Sequence, residues 1–179
     1  MVETKNIFVL IGSASLHSAN QILVDCIAKL MQDKFHFIVY PDLKTLPHFD
    51  PELSANNPPD QIIELRSNIE KADGILICTP EYIFSIPSGL KNVMEWCIAT
   101  TVFSNKPTGL ITASASGEKA HEELQLIMKT AMAKFSMETT LLIQGVKGKI
   151  NEHGQLIDKS TLGRLTNFAN DFSALVHKY

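Results

Sequence analysis

At 179 residues, 45% hydrophobic and 20% charged, the chain has the size of one globular domain spanning residues 1–179 and can bury a full core. Its formal net charge of -3, with the signs interspersed, supplies neither a basic face for nucleic acid nor an acidic tail. No run approaches the ~18 apolar residues of a membrane span and the N-terminus lacks a signal-peptide pattern, so no membrane association and a cytoplasmic location are expected. Cys26, Cys78 and Cys97 lie in apolar patterns without CxxC spacing and read as small core residues in a reducing compartment.

Residues 6–11 form a continuous apolar run, the pattern of a strand buried on both faces. Ser18 or Asn20 can cap the helix that follows, whose Ile22, Leu23, Cys26, Ile27, Leu30 and Met31 make one apolar stripe. Residues 35–40 read as a second strand, and 41–59, with its prolines and asparagines, as a long irregular connection. A helix over 58–71 leads to a third strand over 73–78, then to a helix over 88–99. A fourth strand is predicted over 106–112, a helix over 117–135 and a fifth strand over 137–143. A glycine-punctuated excursion over 144–158 precedes a final helix over 159–178. Strands alternating with helices imply a parallel sheet wrapped on both faces by right-handed crossovers, an α/β three-layer sandwich.

In open α/β sheets ligands bind outside the carboxyl ends of the strands, so the loops there carry the functional argument. The first is Gly12-Ser13-Ala14-Ser15-Leu16-His17-Ser18-Ala19-Asn20, with neither a GxGxxG nor a GxxxxGK[ST] pattern. Its hydroxyls stand where unpaired N–H groups and the positive end of a helix dipole hold an anion, although Ser18 or Asn20 can equally do no more than cap that helix. The second is Thr79-Pro80-Glu81-Tyr82-Ile83-Phe84-Ser85-Ile86-Pro87-Ser88-Gly89-Leu90-Lys91-Asn92, a polar, proline-framed exit from the third strand. Together they read as two walls of a pocket for a phosphorylated planar ligand. The histidines lack ligand spacing, so no metal site is expected.

These two loops, with Val93-Met94-Glu95-Trp96 and the later Ser114-Ala115-Ser116-Gly117, resemble the NAD(P)H-dependent FMN reductase family, which includes azo-, quinone- and chromate-reducing members. The family patterns are GSxRxxSxN and TPEYNxSxPGxLKNxxDW, and the second match is long and specific. The resemblance implies a flavodoxin-like fold with strand order 2-1-3-4-5, FMN as cofactor, NAD(P)H as electron donor and a homodimer or homotetramer. By the same resemblance Ser13, Ser15, Ser18, Ala19 and Asn20 would cradle the FMN phosphate. Pro80, Glu81, Tyr82 and Ile83 would line the ribityl chain and ring, and Ser114, Ala115, Ser116 and Gly117 would approach the ring's other edge. The N–H groups of Ser116 and Gly117 are expected to point at its N1/O2 edge. No side chain is assigned a catalytic role, because the flavin carries the electron chemistry.

Two departures from the family pattern matter: Ser15 replaces an arginine and Ile83 an asparagine. Losing the arginine removes a charge-assisted contact worth about 1.5–3 kcal/mol, roughly ten- to hundredfold in affinity, which His17 or the Ser15 hydroxyl is left to offset. The expected activity is electron transfer from NAD(P)H through FMN to a flavin, quinone, azo compound or similar small-molecule acceptor. The rival readings are a flavodoxin-type electron carrier reduced by a partner protein, disfavoured by the small net charge, and a relative that has lost FMN. Tyr82 and Phe84 are expected to pack on the flavin or a second subunit, and Trp96 to sit at a dimer interface. Lys91 and Asn92 are expected to complete the loop's hydrogen bonds, and His121, Glu122 and Glu123 to lie on a solvated helix face.

Overall fold

The computed structural model describes residues 4–15 and 17–179; Leu16 of the first loop lies outside them. Five strands, β1 (Lys5–Ile11), β2 (Phe35–Val39), β3 (Gly74–Thr79), β4 (Thr108–Ser114) and β5 (Thr140–Gln144), form one sheet in the order β2-β1-β3-β4-β5. Every neighbouring pair is parallel, with Ile11 opposite Cys78 and Cys78 opposite Ile111. The six helices are α1 (Ala19–Leu30), α2 (Pro51–Asn56), α3 (Asp60–Lys71), α4 (Ser88–Ile98), α5 (Glu118–Thr130) and α6 (Lys159–Lys178).

Successive side chains of a strand point to opposite faces, so unbroken apolar runs feed two cores at once. Ile7, Val9, Leu76 and Cys78 pack with α1 and α6 through Leu23, Ile27, Leu165 and Phe172. Phe8, Leu10, Ile75 and Ile77 pack on the other face with α3, α4 and α5 through Leu65, Val93 and Leu124. The expected three-layer flavodoxin-like topology is therefore present, and all the crossovers bring strand exits to one edge.

Several boundaries differ from the sequence expectation. The connection over 41–59 is not wholly irregular: Asp42 caps a 3₁₀ turn over Leu43–Thr45, and the Asp50 carboxylate accepts the Glu52 and Leu53 N–H groups to start α2. The fourth strand starts at Thr108, and α5 stops at Thr130 because Met132 adopts a left-handed conformation that turns the chain. Thr108 then donates to the Lys134 carbonyl beside it. Residues Met137–Thr139 form a 3₁₀ turn closed by a capping box between Ser136 and Thr139, which delays β5 to Thr140.

Trp96 is the larger correction. Its side chain is 0% exposed within the chain, its indole N–H donates to the Pro47 carbonyl at 2.9 Å, and it meets Phe49 edge-on at 5.4 Å. Asn92, one turn earlier, donates to the same carbonyl and accepts the Phe49 N–H. Arg66 of α3 donates to the Trp96 carbonyl and to Ser54 of α2. Trp96 thus anchors the 41–59 connection to α4 instead of facing a partner.

Candidate active site

The carboxyl ends of β1, β3, β4 and β5 surround a cavity of about 800 Å³. Its walls come from four strand exits: Ser13, Ser15, His17, Ser18, Ala19 and Asn20; Pro80 and Tyr82; Ser114 and Ala115; and residues Gly145, Val146, Lys147, Gly148, Ile150 and Asn151. Nine of the thirteen residues expected at the site are thereby brought together, whereas Glu81, Ile83, Ser116 and Gly117 do not line this cavity.

In the first wall, Ser18 caps α1 by accepting the Gln21 N–H at 3.1 Å. Ser13 Oγ accepts the Ser15 N–H at 3.2 Å and lies 3.4 Å from the Tyr82 hydroxyl, so the first and second walls meet. The first-turn N–H groups of a helix lack partners within it and carry the positive end of its dipole. Ala19 and Asn20 at that turn line the cavity, giving an anion a place among hydroxyls and N–H groups. Asn20 has a second task. Its buried side-chain amide donates to the Ala113 carbonyl at 3.4 Å and accepts from the Cys78 thiol at 3.3 Å, tying α1 to the exits of β3 and β4. Burial raises the Cys78 thiol's pKa far above its ordinary value, so it is an apolar-core donor and not a thiolate.

The second wall is a rigid hairpin. Tyr82 and Ser85 exchange backbone hydrogen bonds of 3.0 and 3.1 Å around a two-residue turn of Ile83 and Phe84. Both turn residues have positive φ, 49° and 58°, and stand 93% and 79% exposed. Primed turns of this kind require left-handed backbone at both positions, which Asn tolerates and a β-branched residue adopts at a cost of about 1–2 kcal/mol. The departure at Ile83 therefore places strain at the turn, and its side chain stands off the cavity.

Glu123 of α5 offsets that strain. Its carboxylate accepts from Ser85 Oγ at 2.7 Å, from the Ile86 N–H at 2.8 Å and from the Lys91 ammonium. Partial burial pushes the Glu123 carboxyl up, but the bonds from Lys91, Ile86 and Ser85 outweigh it and hold it below its ordinary value. The expected solvated face for Glu123 is corrected by these bonds. His121 is also turned inward, with Nδ1 3.0 Å from Thr112 Oγ1, and burial lowers its pKa. Only Glu122, paired with Lys119 at 2.9 Å, keeps the solvated role.

Because Glu123 has a depressed folded pKa, its contribution is present above its unfolded pKa near 4.5 and is lost as pH falls through the lower folded value. Glu123→Gln should cost about 1–2 kcal/mol at neutral pH, since the pair with Lys91 is part-exposed and the amide oxygen still accepts. Urea titrations from pH 7 down to 3.5 check this: the gap between wild type and variant should narrow only below about pH 4.5.

Glu81 behaves differently from the expectation. Its side chain turns away from the cavity and accepts the Gly117 N–H at 3.2 Å and the Ala120 N–H at 3.0 Å, capping α5 from another loop. The Gly117 N–H is thus occupied by a carboxylate, which corrects its expected role toward a ligand. Ser114 Oγ lies 3.4 Å from the Glu81 carbonyl and joins the second and third walls. Sequence reasoning missed the fourth wall, after β5, although its strand-exit position and the glycines at 145 and 148 were available as signals. No group of side chains suited to a metal ion occurs among the described residues.

Residues 5–146 match the family described as NADPH-dependent FMN reductase. The chain is 28% identical over 173 residues to an NADH:(hydroxy)cinnamate reductase subunit of Vibrio ruber, covering 93% of this chain and 85% of that one. It is 25% identical over 185 residues to a quinone reductase of Escherichia coli strain K12, covering 99% and 98%. Among solved structures, the FerB NAD(P)H:(acceptor) oxidoreductase of Paracoccus denitrificans superposes with a TM-score of 0.78 at 23% identity, covering 98% of both chains.

Proposed function

The chain belongs to the NADPH-dependent FMN reductase family, and from that premise we propose that it uses FMN bound in the strand-exit cavity to pass electrons from NAD(P)H to a small acceptor such as a flavin, quinone or azo compound. The carrying observation is that one cavity of about 800 Å³ joins an uncharged, hydroxyl-lined helix N-terminus to a wall of Pro80 and Tyr82. That volume falls within the roughly 300–1,000 Å³ of small-molecule sites, and the two surfaces suit a phosphate and a flat ring respectively. The residues present therefore fit the group.

In this reading Ser13, Ser15, Ser18, Ala19 and Asn20 hold the phosphate through hydroxyls and backbone N–H groups. Pro80 and Tyr82 form the apolar side of the ring's berth, and Ser114 and Ala115 approach another edge. Glu81, Ile83, Ser116 and Gly117 act from behind this wall: the Glu81 carboxylate fixes the start of α5, and the turn at Ile83 fixes the angle of Tyr82. FMN, when bound, supplies hydride acceptance and one- or two-electron delivery, and the protein orients it and tunes its surroundings.

A homodimer or homotetramer belongs to the same reading, supported by an apolar groove between α4 and α5 that exposes Ile98 and Leu126. A cytoplasmic location is supported by three unpaired cysteines, and no helix among the described residues is long and apolar enough to cross a membrane. The test is anaerobic titration of the FMN-loaded protein with NADH and with NADPH, followed by a quinone. The expected result is bleaching of the flavin band by at least one nucleotide and its return on adding quinone. Bleaching by neither, with the flavin retained, would favour a carrier reduced by another protein.

A further inference from the structure

From the fourth wall of the cavity we infer that Lys147 supplies the positive charge for the FMN phosphate that the first loop lacks, an assignment resting on the FMN reading above. The first loop offers that anion Ser13, Ser15, Ser18 and the imidazole of His17, but no lysine or arginine. Lys147 lines the same cavity as those serines, and among the described residues it is the only lysine or arginine that does. Among the described residues it makes no ion pair, whereas Lys44, Lys91, Lys119 and Lys149 are all paired with carboxylates.

The segment after β5 brings Lys147 into the cavity that the first loop lines. After β5 the chain makes a 3₁₀ turn over Val146–Lys149 and then a small hairpin in which Ile150 bridges Leu156. Asn151 Oδ1 accepts the His153 and Gln155 N–H groups at 3.0 and 2.9 Å, and Lys149 pairs with Asp158 at 3.5 Å. Ile150 and Leu156 pack into the core that holds Ala19, and a Cβ on Gly154 would lie 3.7 Å from Ile22 Cδ1. This excursion therefore folds back over the first turns of α1, the end at which Ser18 and Asn20 stand. The 3₁₀ turn, anchored by the hairpin that follows it, carries the Lys147 ammonium on a long stem that reaches an anion as a point charge. The alternative cation, Lys44, borders a smaller cavity on the other side of the first loop and already bonds Asp42 and the Ala14 carbonyl.

The test compares FMN with riboflavin, which shares the ring and ribityl chain but lacks the phosphate, by quenching of flavin fluorescence on titration with the apoprotein. Lys147→Met is expected to weaken FMN roughly ten- to hundredfold and to leave riboflavin unchanged. It should also flatten the dependence of FMN affinity on salt concentration, and Lys147→Arg should restore most of the loss. Lys147 is exposed and unpaired, so the melting temperature of the apoprotein should not move. Wild type that binds FMN while Lys147→Met loses nothing, or loses FMN and riboflavin alike, overturns this inference and leaves the FMN reading standing. Wild type that binds neither flavin overturns both.

Discussion

Trp96→Ala lowers the unfolding free energy by about 3–5 kcal/mol, the range for truncating a fully buried aromatic side chain. The indole fills the space between α4 and the segment carrying Pro47 and Phe49, and its N–H is one of two side-chain donors that reach across it. Removing it opens a cavity and takes one of two hydrogen bonds from the Pro47 carbonyl, the other coming from Asn92. Trp96→Phe keeps most of the volume and loses the N–H, so it should cost distinctly less. Urea denaturation followed by far-UV circular dichroism measures both. If Trp96 instead worked at a subunit interface, Trp96→Ala would shift sedimentation toward the monomer while leaving the monomer's own stability nearly intact.

The same residue marks where sequence reading succeeds and where it stops. Apolar runs such as Ile75-Leu76-Ile77-Cys78 announce strands buried on both faces, and their alternation with helical stripes leaves few topologies, so the sheet was legible. Trp96 lies on a helix whose apolar side was recognised, but what covers that side is a segment more than thirty residues away in the chain, which periodicity does not reveal. Glu81 and Glu123 were misplaced for a related reason. Glu81 was expected against the flavin and Glu123 in solvent, and only tertiary structure brings their carboxylates to the N–H groups of Gly117 and Ala120, or of Ile86, that make these inward positions favourable. The end of α5 was overrun because Met132 takes a left-handed conformation without the glycine that usually signals one. Within the site, motifs located the first three walls. The fourth belongs to an excursion whose residues carry no motif and become meaningful only once it is seen folded over α1.

Gly12→Ala should cost about 3 kcal/mol or more and weaken FMN binding at least tenfold, because at this position a single methyl group has nowhere to go. An added Cβ would lie 2.2 Å from Thr79 Oγ1, 2.8 Å from Thr79 Cβ and 3.1 Å from Leu90 Cδ2. Relaxation is blocked on both sides. The Gly12 N–H donates to the Cys78 carbonyl at 2.9 Å, which pins the first loop to the third strand, and Thr79 is fully buried with its hydroxyl bonded to the Pro80 carbonyl at 3.0 Å. The clash is relieved only by parting the exits of β1 and β3, the two segments that bring Ser13 and the Tyr82 hydroxyl together. Stability and ligand affinity therefore fall for one reason, and the double variant Gly12→Ala with Thr79→Ala, which removes the nearest clashing atom, should regain part of both. Unfolding free energy and FMN dissociation constant, measured on the same preparations, test this coupling. Recovery of stability without recovery of affinity would mean that the spacing of these two exits is not what holds the flavin.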